Sequence, residues 1–130
     1  MIEFHLEARS GVPTYLQLVQ QVRQAIRLGI LRPGDQLPTV KEVVASLTIN
    51  PNTVLRAYRE LDLEGLVEGR RGVGTFVSSD LEPVRPDDVK ELRSAVQRWV
   101  GRARAAGLDD ESIAALFGDT VRPPAVSRVA

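Results

Sequence analysis

Apolar residues recur at Tyr15, Leu18, Val19, Val22, Ile26 and Ile30, the i, i+3, i+4, i+7 spacing of an amphipathic helix, and the pattern opens at Pro13 and runs out at Gly29. A shorter face of Val40, Val43, Val44 and Leu47 predicts a second helix over residues 40–47, and Thr39 stands three residues before Glu42 as in a capping box. Between the two, Pro33-Gly34 marks a turn. Asn50 followed by Pro51 is a helix start signal, because asparagine caps free amides and proline fits the first helical position. The third helix then buries Val54, Ala57, Tyr58 and Leu61 and stops at Gly65. So short a connection between helices two and three is that of a helix-turn-helix. Two short β-prone runs follow, LVEGR and GTFVS, joined through Arg70, Arg71, Gly72 and Val73 as a hairpin. At the other end, Ile2 to Glu7 alternates apolar and polar over too few positions for more than a short strand or an arm.

Past Ser78 the chain turns polar and carries prolines, which places a linker at 79–86 between a first domain of residues 1–78 and a helical region of residues 87–118. In that region Val89, Leu92, Val96, Trp99, Ala103 and Ala106 are spaced 3, 4, 3, 4, 3, an a/d seam that needs a partner. Gly107 ends the helix, Asp109 caps another, and Ile113, Leu116 and Phe117 give that fifth helix an apolar face to lay on the fourth. The tail 119–130, with Pro123 and Pro124, is expected to be disordered. The fold class is therefore mainly α with a small β wing: an N-terminal winged helix-turn-helix and a short two-helix dimerisation region.

Composition narrows the function. A chain of 130 residues has no room for a large catalytic domain beside these elements, and no apolar run reaches the roughly 20 residues of a membrane span. With no secretory signal at its start and no cysteine, the cytoplasm is the expected location. A single histidine, His5, rules out a histidine-rich metal site, and no metal or cofactor is expected. No nucleophile elbow or spaced carboxylate pair suggests an enzyme. Gly72-Val73-Gly74 resembles part of a phosphate loop, but it lies between strands and opens no helix. The 17 basic and 17 acidic residues cancel, so a DNA-binding reading must rest on where particular side chains sit.

In a helix-turn-helix the first turn of the second helix enters the major groove. Here that turn is Asn50 to Val54: Asn52 and Thr53 are polar and exposed by periodicity, Arg56 continues their face with a donor fork suited to guanine, and Leu55 flanks it at reach of a thymine methyl. Lys41 and Thr39, at the start of helix two, are placed for phosphates. Arg70 and Arg71 at the hairpin tip suit the minor groove or phosphates, with Gly72 and Gly74 allowing close approach. Each residue also has a plain structural reading: Asn50 and Thr39 as caps, Arg56 as a solvated charge, the basic tip as a soluble turn. The seam, likewise, has an alternative: folding back to bury Trp99 against the chain's own N-terminal domain.

The stretch YLQLVQQVRQAIRLGILRPGDQLPTVKEV, followed by NPNTVLRAY and LDLEGLVEGRRGVGTFV, resembles the DNA-binding domain of the GntR family of bacterial regulators over residues 13–77, and NPNTV with the short tail is similar to its YtrA subfamily. The resemblance implies a homodimeric repressor on a palindromic operator. It implies that Thr39 and Lys41 stand at the family's Ser and Arg of the LPS-x-R motif, that Asn50 to Thr53 and Arg56 form the recognition-helix motif, and that Gly72 and Gly74 belong to the wing. Lys41 departs from the usual arginine and loses its bidentate geometry, and Val43-Val44 stands for Leu-Ala. An effector, if one exists, has no residue candidates; the space for it lies between the tail helices of two subunits. The competing class is a winged-helix protein-interaction module without sequence-specific DNA binding, in which Asn52 and Arg56 are dispensable.

Overall fold

The computed structural model describes residues 2–122. Its elements are α1 (Thr14–Arg27), α2 (Val40–Leu47), α3 (Pro51–Leu63), β1 (Val67–Arg70), β2 (Gly74–Val77), α4 (Pro86–Ala105) and α5 (Asp110–Val121). They fall into two compact units that part between Val89 and Lys90, inside α4.

In the first unit α1 packs on α3, and α2 packs on α3 from another side. Leu18, Val19 and Val22 of α1 and Val54, Ala57 and Leu61 of α3 are wholly removed from solvent, and Leu37, Val43, Val67 and Val77 close the same core. The helix boundaries follow from local chemistry. The Thr39 hydroxyl accepts from the Glu42 amide at 3.1 Å while the Glu42 carboxylate accepts from the Thr39 amide at 3.3 Å, a complete capping box for α2. The Asn50 Oδ1 accepts from the Asn52 amide at 2.8 Å, and Pro51 fills the first position of α3. Between the helices Thr48 lies in the left-handed region at φ 55, an uncommon conformation for a β-branched residue, held by its amide donating to the Val44 carbonyl. The buried Tyr58 hydroxyl donates to the carbonyl of buried Pro38, tying α3 to the segment that enters α2.

β1 and β2 pair antiparallel, Val67 opposite Val77 and Arg70 opposite Gly74. The segment expected only as a turn does more. After the turn closed by the Asp35 amide on the Arg32 carbonyl, Leu37 N donates to Thr75 O at 2.8 Å and Val77 N to Asp35 O at 2.7 Å, so residues 35–37 form a third line of backbone along β2. Ile2–Glu7, in contrast, is an arm and not a strand. Its backbone is satisfied by glutamine side chains one helical turn apart on α1. Gln21 accepts from His5 N and donates to His5 O, and Gln17 accepts from Glu7 N and donates to Glu7 O. Phe4 enters the core and Ile2 and Leu6 lie against it. Residues 79–85 stay with this unit, Leu81 lying on the core and Val84 beside Gly29.

In the second unit, Ala103 and Ile113 are buried, while Leu92, Val96, Leu116 and Phe117 are exposed. Trp99 meets Phe117 with ring centroids 6.0 Å apart. The expected seam is thus divided: one end is closed by α5 and the other stands open as a groove of about 450 Å³ lined by Leu92, Ala95, Val96, Trp99, Leu116, Phe117 and Thr120. Val89 is half-buried, and Ala106 is exposed one residue past the end of α4. The Asp109 carboxylate accepts from the Ser112 amide, which caps α5, and hydrogen bonding from the Ser112 side chain and amide holds that carboxyl below its ordinary range. The disorder expected from Asp119 is corrected for residues 119–121: they continue α5, with the Thr120 hydroxyl donating to Leu116 O at 2.9 Å and Arg122 N to Gly118 O at 2.8 Å. The rest of that tail lies outside the described residues.

Burial pushes the Tyr58 phenol well above its ordinary value of 10.0, and the nearby charge of Glu42 adds to the shift. The neutral form is the one the fold holds, so Tyr58 stabilises fully below the unfolded-state value, and that contribution is lost as pH rises beyond about 10. Tyr58→Phe is expected to lower the unfolding free energy by about 1–3 kcal/mol through the orphaned Pro38 carbonyl and to flatten this alkaline loss. Urea titrations at pH 7 and above pH 10 check both; an unchanged midpoint at pH 7 would remove the bond from the account.

Candidate nucleic-acid interface

The core dictates which side of α3 is free. With Val54, Ala57, Tyr58 and Leu61 turned inward, Asn52, Leu55, Arg56 and Arg59 face solvent and Thr53 is half-buried. Asn50, Asn52, Thr53 and Arg56 come together with Thr14 and Tyr15 of α1 around an open hollow of about 400 Å³. The Arg56 guanidinium lies over the Tyr15 ring, its central carbon 3.8 Å from the centroid. It is therefore a placed group, not the freely solvated charge of the plain reading. Sequence reasoning took Tyr15 only as a core position, and no signal in the chain pairs it with a residue 41 positions away.

The caps are as the structural reading had them: Thr39 uses its hydroxyl on Glu42 and Asn50 uses Oδ1 on Asn52. The two caps differ in what they leave over: the Asn50 side-chain NH2 is not used by its cap, whereas the Thr39 hydroxyl both donates to and accepts from its own turn. Lys41, one position into α2, is exposed.

At the wing Arg70 lies over the Phe76 ring, its central carbon 4.2 Å from the centroid, and meets Glu68 at 3.4 Å. Arg71, Gly72 and Val73 form the exposed tip. The two glycines differ. Gly72, at φ 75, needs only the backbone freedom, with open space where a Cβ would stand. Gly74, at φ 145, would also place a Cβ 2.7 Å from Nε2 of Gln36, whose amide donates to Val73 O. Gly74 thus serves the internal seating of the wing on Gln36, a role the sequence reading did not see.

Charge is sorted along α3. Its arginines precede its acids: Arg56 and then Arg59 follow a first turn without an acid, where the helix dipole is positive, while Glu60, Asp62 and the C-cap Glu64 gather at its far end. Glu64 is there engaged by Arg23 of α1, which raises the arginine's already high pKa through that bond. A chain with no net charge therefore presents a locally basic end.

The profile of the family described as "Bacterial regulatory proteins, gntR family" matches residues 14–77. The HTH-type transcriptional repressor YtrA of Bacillus subtilis (strain 168) is 34% identical over 109 residues, which are 83% of this chain and 84% of that one. The chain belongs to the GntR family. Among solved structures, YtrA from Sulfolobus acidocaldarius, a GntR-family transcription factor, superposes with a TM-score of 0.56 at 28% identity over 75% of this chain and 97% of its own. The AraR DNA-binding domain in complex with operator ORX1 superposes with a TM-score of 0.52 at 25% identity, over 59% of this chain and 96% of its own. The similarity to YtrA runs past the winged helix into the tail helices, as expected for a short member of that branch of the GntR family. Among the described residues no helix is long and apolar enough to cross a membrane.

Gly74→Ala is expected to cost more stability than Gly72→Ala: both incur about 1–2 kcal/mol for an L-residue at positive φ, and Gly74→Ala must also displace Gln36. Denaturant midpoints of the two variants decide it, and equal costs would mean that the Gln36 seat contributes nothing.

Proposed function

We propose that this chain is a cytoplasmic, sequence-specific DNA-binding repressor that grips an inverted-repeat operator as a homodimer. The observation that carries the reading is the first half of α3. Its core side is locked, its start is capped by Asn50, and Asn52, Thr53 and Arg56 are left facing outward with no acid among them. These are the side-chain types that pair with base edges, and they stand where a recognition helix meets the major groove. Family membership and the operator-bound AraR domain support the same docking. Lys41 and the uncapped donors of α2's start would hold phosphates, and Arg70 and Arg71 at the wing would reach the backbone or the minor groove. The half-open seam of the second unit, Leu92, Val96, Leu116 and Phe117, is the surface for a second subunit, with Trp99, Ala103 and Ile113 beside it and Val89 one step earlier in the α4 stripe. Two recognition helices about 34 Å apart, or a multiple of it, then require a palindromic site.

Selection from a random duplex library at near-physiological salt is expected to enrich an inverted repeat, and the Asn52→Ala/Arg56→Ala double variant is expected to lose it. No enriched sequence with the native chain would favour a protein-interaction module. Separately, light scattering at micromolar concentration is expected to give twice the chain mass for the native protein and a monomer for Val96→Glu/Leu116→Glu. A native monomer would remove the dimer.

A further inference from the structure

Arg56 and Tyr15 come from different helices, and their stack links the start of α1 to the base-reading side of α3. Tyr15 is itself anchored: it is half-buried and packs against the core. An arginine at an exposed helix position otherwise samples many rotamers, and that freedom must be surrendered when it meets a base pair. A guanidinium lying flat on a ring keeps its five N–H donors in its own plane, pointing away from the ring edge, so stacking occupies a face and spares the hydrogen-bonding fork. The hollow bounded by Tyr15, Asn50, Asn52 and Thr53 opens on that fork.

We propose that Tyr15 is a positioning residue for operator reading: its ring holds the Arg56 guanidinium in a preset plane, so the fork meets its base already oriented. The proposal rests on the DNA-reading function above. The ring performs this role, and the hydroxyl is not needed for it. A stack at an exposed site is worth roughly a two- to fivefold change in an equilibrium constant.

Two measurements test it on the full chain. Without DNA, the Arg56 side-chain N–H resonances are expected to be shifted upfield by the Tyr15 ring current, to remain so in Tyr15→Phe and to return to ordinary values in Tyr15→Leu; unshifted resonances in the native protein overturn the proposal. With the selected operator, Tyr15→Leu is expected to reduce discrimination by roughly two- to fivefold at the base pair whose preference Arg56→Ala relaxes, at unchanged salt dependence. Tyr15→Phe is expected to retain it, and Tyr15→Leu to add nothing in an Arg56→Ala background. Additive losses, or equal losses from the phenylalanine and leucine variants, overturn positioning by the ring while leaving the DNA-reading function intact. Failure of the native chain to select any sequence would instead overturn that function and this proposal together.

Discussion

Everything at the proposed DNA face depends on the seat of α3 against α1. Leu18, Val19 and Val22 on one side and Val54, Ala57 and Leu61 on the other have no solvent exposure, and Ala57 at the middle of the α3 stripe brings little bulk to the contact. Close-packed interiors tolerate little rotation, because turning a helix would open voids and force side chains off their rotamers. The rotational setting of α3 is therefore fixed by apolar contacts that never approach a ligand. Asn52, Leu55, Arg56 and Arg59 point outward for that reason and not because of anything they bind. The Tyr58 hydroxyl adds a polar constraint from the same helix, reaching the backbone just before α2 and so coupling the two helices of the motif.

The zero net charge ceases to be a puzzle when the charges are placed. Attraction to phosphates depends on the field at the contact face, and α3 separates its arginines from its acids along its length. The acids at its far end sit unfavourably with the helix dipole, and Arg23 offsets part of that cost at Glu64. Arg56 and Arg70 share a further device, an aromatic ring beneath the guanidinium, Tyr15 in one case and Phe76 in the other. The ring covers the weakly hydrated face of the group and leaves its charge and donors outward, which suits a residue that must be ordered before its partner arrives.

The helices were legible because their ends carry their own chemistry. Thr39 with Glu42 and Asn50 with Pro51 satisfy amides within their own turns, so α2 and the start of α3 fall where those residues stand. What escaped prediction is long-range. The Ile2–Glu7 arm has the alternation of a strand, but its backbone partners are Gln17 and Gln21, side chains on a helix, and periodicity carries no information about that substitution. The pairing of residues 35–37 with β2 hides in a segment whose Pro33-Gly34 advertises only a turn. At the candidate site the residue types of α3 were readable from their spacing, whereas Tyr15 beneath Arg56 and Gln36 beneath Gly74 are pairings that only the folded chain creates.

The second unit follows a different logic. A helix of 20 residues spans about 30 Å and one of 12 about 18 Å, so α5 can cover only part of the α4 stripe. It closes the end nearest the connecting turn, over Ala103 and Ile113, and leaves Leu92, Val96, Leu116 and Phe117 as one apolar surface with Trp99 at its floor. Two helices bury one face of each against the other, and among the described residues of this unit no third element covers the remainder. The proposed homodimer would cover it with the same surface of a second copy, as a two-fold interface does. In the proposed homodimer such a pairing would hold two copies of α3 in one assembly, as an inverted-repeat site requires.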